Sequence, residues 1–68
     1  MAYTPAPLLR AATALGDRSA ADMARRLDVP YLAVYRWITG RAAPSSAGLA
    51  AIERAYGLTP ADQYRDAA

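Results

Sequence analysis

Leu32, Tyr35, Arg36 and Thr39 recur at helical spacing, and Arg41 follows directly. At ~100° per residue they share the side of a helix opposite Val34, Trp37 and Ile38, with Tyr31 on an adjoining part nearer the inner stripe. A surface that offers a guanidinium, a phenol, a hydroxyl and an aliphatic side chain suits nucleic-acid base edges, thymine methyls and phosphates. Arg36 is the candidate for bidentate pairing with guanine, set against a phosphate contact or an internal ion pair with Asp28 or Glu53. Tyr31 and Tyr35 carry hydroxyls that reach phosphates or base edges, though packing explains Tyr31 equally well. Leu32, at the front of the helix, fits a thymine methyl.

Two short helices must position these groups. Ser19, with Asp22 three residues on, forms a capping-box-like start, and Met23, Ala24 and Leu27 then fall on one face. Asp28-Val29-Pro30 ends that helix, because a residue before proline is driven out of the α region. Pro30 suits the first turn of a second helix over 30–39, which Gly40 stops. Trp37 belongs to the core, and Ala24 is small enough to let the two helices cross closely. In such a pair, spanning 19–40, the amino end of the first helix and the loop after the second approach phosphates. Ser19, Thr39 and Arg41 are therefore candidates for backbone contacts. Arg25 and Arg26, late in the first helix, read as solvated or paired.

The flanking chain reads as support. Thr4-Pro5-Ala6-Pro7 starts a helix with threonine as cap, in which Leu8, Ala12 and Leu15 form an inner stripe and Gly16 is the stop. Pro44-Ser45-Ser46 caps a fourth helix with Leu49, Ile52 and Tyr56 facing inward, and Gly57 ends it. Thr59-Pro60-Ala61-Asp62 repeats the cap, proline and acid signature, giving a short fifth helix that carries Tyr64. The expected fold is all-α, a compact bundle of about five short helices containing a helix-turn-helix, with no strand alternation and no internal repeat.

Sixty-eight residues make a single domain, 1–68, that buries about 60% of its unfolded surface. The chain has no cysteine and no histidine. A disulfide scaffold and a thiolate or imidazole metal site are thereby excluded, and a cytoplasmic setting is favoured. Ser45 and Ser46 are explained as caps with no base beside them, and there is no phosphate loop or cofactor fingerprint. No enzymatic activity and no cofactor are expected. No stretch reads as a membrane span or a signal peptide. All eight basic residues are arginine, and the formal charge of +2 permits nucleic-acid binding without dictating it. Such binding would be local and geometric.

In this order, Met23-Ala24, Leu27, Val29, Val34-Tyr35-Arg36-Trp37 and Gly40-Arg41-Ala42-Ala43-Pro44 resemble the helix-turn-helix of the Cro/Xre class of phage and bacterial regulators. Residues 51–59 and Tyr64-Arg65-Asp66 resemble the closing helices of the YdaS-like Cro subfamily. The resemblance implies a sequence-specific regulator of transcription, a Cro-like repressor that occupies a double-stranded operator in a bacterial host, in association with the nucleoid. Two departures stand out against the family pattern. Asp28 replaces a common turn glycine, which aspartate can do because it tolerates left-handed geometry; Ala20 replaces a glutamine that often contacts DNA. One recognition helix covers only a few base pairs, so useful specificity implies a homodimer on two-fold-related half-sites. Tyr56, Leu58 and Tyr64 are the candidate dimer interface, against plain core packing. Two alternatives are a DNA-bending excisionase-like accessory and a protein-binding adaptor that keeps the fold. The first would need a β-wing after Pro44, where the residues are helix-forming. The second would turn Leu32 and Tyr35 toward a protein groove.

Overall fold

Three residues with side-chain oxygens set three helix starts. In the computed structural model, which describes residues 2–65, Ser19 Oγ accepts from Asp22 N at 3.1 Å, Ser45 Oγ from Gly48 N at 3.2 Å and Thr59 Oγ1 from Asp62 N at 3.2 Å. Each hydroxyl satisfies one backbone donor that the first helical turn cannot use. Thr59 and Asp62 complete a reciprocal capping box. Asp22 departs from that pattern, since its carboxylate reaches one residue further back, to Arg18 N at 3.1 Å.

The elements run β1 (Ala2–Tyr3), α1 (Ala6–Ala14), α2 (Ala20–Leu27), α3 (Tyr31–Ile38), α4 (Ser46–Tyr56), α5 (Pro60–Gln63) and β2 (Tyr64–Arg65). The five expected helices are present, and the fold is all-α but for a two-residue ribbon. In that ribbon β1 pairs antiparallel with β2, Tyr3 opposite Tyr64, and Thr4 N donates to Gln63 O at 3.3 Å. Pairing this short leaves no alternation in a sequence. Tyr64 therefore follows α5 instead of lying within it, and Asp66 lies outside the described residues.

Other boundaries shift by a residue or two. Pro30 precedes α3 with extended backbone (φ −61°, ψ 142°), and Thr39 follows it, so the expected helix 30–39 is Tyr31–Ile38. Proline is at home there, with no N–H to leave unpaired. Thr4 does not cap α1; Pro5 occupies that position and offers no side-chain hydrogen bond. Leu15 ends α1 and is 49% exposed, so the expected inner stripe stops at Ala12.

Leu8 and Ala12 of α1, Met23, Ala24 and Leu27 of α2, Val34 and Trp37 of α3, and Ala51 and Ile52 of α4 form one core. Leu49 is only half-buried, while Ala51 takes an inner position beside Ile52 on the side of α4 that meets the core. Gly48 explains how Trp37 fits. A Cβ at Gly48 would lie 2.9 Å from Trp37 Cζ2 and 3.1 Å from Pro44 Cβ, so the indole rests directly on the helix backbone.

Candidate nucleic-acid interface

The turn between α2 and α3 fixes the aim of α3. Asp28 adopts the left-handed conformation (φ 58°, ψ 47°), and both its N–H and that of Val29 return to Ala24 O. The three-residue connection between Leu27 and Tyr31 is made with aspartate at the position that most often needs glycine. Val34 (fully buried) and Trp37 then press one side of α3 into the core. With that side fixed, the opposite one must face outward.

Leu32 is 52% exposed, Tyr35 39% and Tyr31 54%. Tyr31, for which burial competed with exposure, thus stands on the surface. Its ring stacks on that of Tyr35, centroids 6.2 Å apart and planes inclined by 21°. Arg36 and Arg41 are exposed, and neither takes part in the ion pairs among the described residues, which join Arg25 to Asp22 and Arg26 to Asp17. The internal pairing of Arg36 with Asp28 or Glu53 is therefore not formed, whereas Arg25 and Arg26 are paired as the sequence suggested.

Of the three residues expected near phosphates, only Arg41 keeps its side-chain donors uncommitted among the described residues. Ser19 is exposed, but its Oγ accepts from Asp22 N and its hydroxyl hydrogen-bonds the Asp22 carboxylate. Arg41 donates only its backbone N–H, to Arg36 O at 2.9 Å. Thr39 differs: its hydroxyl donates to Tyr35 O at 2.7 Å, so it must turn away from that carbonyl before it can donate to a phosphate. Gly40, at φ 76°, then turns the chain out of α3.

Arg18, between α1 and α2, is not singled out by the sequence. It is exposed, lies outside both ion pairs, and precedes the Ser19 cap. Together with Leu9 and Thr13 of α1, Ser19, Met23 of α2 and Ile38 of α3 it lines a surface hollow, which brings the amino end of α2 and the carboxyl end of α3 to one place. A basic residue next to a helix cap was the available signal.

The candidate dimer residues are engaged within the monomer. Tyr56 and Leu58 are half-buried against the core, Tyr56 also donates its hydroxyl to Asp17, and Tyr64 meets Tyr3 edge-on with ring centroids 5.5 Å apart. Packing accounts for their contacts. After Pro44 the chain enters α4, so no β-wing follows the recognition helix.

Residues 9–63 match the family model described as Helix-turn-helix. The chain belongs to the helix-turn-helix family of Cro/C1 type. This helix-turn-helix protein is a DNA-binding regulator, and the match spans α1 through α5. No curated protein and no solved structure gives a significant match. Among the described residues, no helix is long and apolar enough to cross a membrane.

Proposed function

We propose that the chain is a Cro-like repressor of phage or prophage origin, related to the YdaS-like subfamily, that occupies an operator through the outward side of α3. The observation that carries this reading is Arg36, exposed on that side with no acidic partner among the described residues to satisfy its guanidinium. An arginine so placed can present its two parallel N–H groups to guanine O6 and N7. Tyr31, Leu32 and Tyr35 contact neighbouring base edges. Arg41 and, after rotation of their hydroxyls, Ser19 and Thr39 hold the phosphates that set its register.

A domain bound in this way acts by occupancy, excluding polymerase or a competing regulator from the site. It works at the nucleoid in the cytoplasm of a bacterial host. Two copies bind half-sites about one helical turn apart, ~34–36 Å. The half-exposed edges of Tyr56, Leu58 and Tyr64 are the surface we propose a second copy covers.

Selection of bound duplexes from a random pool tests the proposal. An enriched, two-fold-related motif is expected, with preference at one position relaxed by Arg36→Ala. A pool that enriches no motif refutes it. A protein that binds bent duplexes with shallow preference would instead be an architectural accessory.

A further inference from the structure

The side chains this protein lacks restrict how it can read a base pair. The sequence contains no asparagine and a single glutamine, Gln63. Gln63 is fully buried, with its amide nitrogen donating to Leu58 O at 3.2 Å. Asparagine and glutamine are the side chains that pair bidentately with adenine N6 and N7. No side chain of this protein can make that contact. A tyrosine hydroxyl can donate to N7 of either purine, and because it both donates and accepts it can meet adenine N6 or guanine O6 alike, so it does not by itself separate adenine from guanine. The sequence of α3 also has no aspartate or glutamate to accept from cytosine N4.

What α3 does present is apolar and aromatic surface bordered by positive charge. Leu32 stands half-exposed beside the stacked rings of Tyr31 and Tyr35, and Arg36 and Arg41 stand exposed outside both ion pairs. Arg41 suits a phosphate beside the major groove, Arg36 suits guanine O6 and N7 within it, and the leucine suits the one apolar group on its floor, the thymine C5-methyl.

We propose that α3 reads A·T pairs from the thymine side alone, through the C5-methyl group, with Leu32 as the specificity-determining residue and Arg36 reading guanine beside it. The proposal rests on α3 being the recognition helix and adds which chemical group of the base pair it detects. It predicts that 5-methylcytosine opposite guanine resembles thymine opposite adenine to this protein more than unmethylated cytosine does.

The test uses the full chain and the duplex enriched from a random pool, with each thymine of the half-site replaced in turn by deoxyuridine. This substitution removes one methyl and leaves every hydrogen-bonding group in place. Binding should weaken about threefold to fivefold at one or two positions, the effect of burying one methyl group. Replacing those thymines by cytosine should weaken binding further, and 5-methylcytosine should recover part of the loss. Leu32→Ala, at an exposed position, should leave the unfolding midpoint unchanged and bind thymine and deoxyuridine duplexes alike.

Equal affinity for thymine and deoxyuridine at every position overturns the proposal while leaving sequence-specific binding intact. A selected half-site without thymine does the same. Discrimination that survives Leu32→Ala removes Leu32 from the role. Failure to bind any duplex would instead overturn the repressor reading on which this one stands.

Discussion

The hydroxyl of Tyr56, on the last turn of α4, donates to Asp17 Oδ2 at 2.8 Å, joining residues 39 apart in sequence. The same carboxylate accepts from Arg26 at the end of α2, and the Arg26 guanidinium lies 5.9 Å from the centroid of the Tyr56 ring. Three segments meet at one carboxyl group: the α1–α2 linker, α2 and α4. This clasp holds the amino end of α2, and so Arg18 and Ser19, in place relative to the rest of the bundle.

Tyr56→Phe removes the hydroxyl from the clasp and keeps the ring over Arg26. A loss of about 1 kcal/mol is expected, the usual size for one hydrogen bond. For so small a domain this lowers the thermal midpoint by roughly 4–8 °C. Calorimetry checks the value.

Stability should fall at both ends of the pH scale. Hydrogen bonds from Arg26 and Tyr56 hold the Asp17 carboxyl below its ordinary range, and the backbone N–H of Arg18 does the same for Asp22. A lowered folded value means that the carboxylate contribution is complete above the unfolded value near ~3.9 and is lost as pH falls through the folded one. Burial pushes the Tyr3 phenol up to about 12, and burial followed by the Asp17 contact raises that of Tyr56. Their contribution is complete below about pH 10 and is lost above it. Thermal melts across pH should show a plateau with two falling limbs. Asp17→Asn should shrink the acid limb and Tyr56→Phe the alkaline one.

Gly48→Ala puts a methyl carbon 2.9 Å from the Trp37 indole, which is held on its other sides by the core. Overpacking of this kind costs about 1–3 kcal/mol. Trp37 is the only tryptophan, so a changed emission spectrum would report the displaced ring directly.

Arg36→Ala and Arg41→Ala should separate base reading from phosphate contact. The first is expected to cost about 1–3 kcal/mol on the preferred duplex and to relax specificity at one position. The second should weaken all duplexes alike and reduce the salt slope by about one. Titrations at several salt concentrations distinguish the two.

Ser19→Asp tests whether this cap also touches DNA. Aspartate can accept from the N–H of residue 22 as serine does, but it loses the hydroxyl bond to the Asp22 carboxylate and sets a second carboxylate beside it, so some folding stability is lost as well. A carboxylate in place of a hydroxyl donor should repel a phosphate. Weakened binding well below the unfolding midpoint is the expected outcome, and unchanged binding there would leave Ser19 as a cap only.

Much of this arrangement was set by local chemistry that a sequence displays. Ser19, Ser45 and Thr59 start helices because their oxygens lie within reach of a nearby N–H, and Asp28 and Gly57 end them in left-handed turns, all within a few residues. The inner and outer sides of α3 follow from helical periodicity alone, as does the burial of Trp37. The tertiary structure decided what depends on distant partners. Tyr3 pairs with Tyr64, Tyr56 bonds Asp17, and Gly48 underlies Trp37, none of which leaves a periodic trace. It also decided which arginines stay free. Arg26 meets Asp17 and Arg25 meets Asp22, while Arg18, Arg36 and Arg41 take part in neither pair, because opposite charges neutralise each other only where the fold brings them within contact.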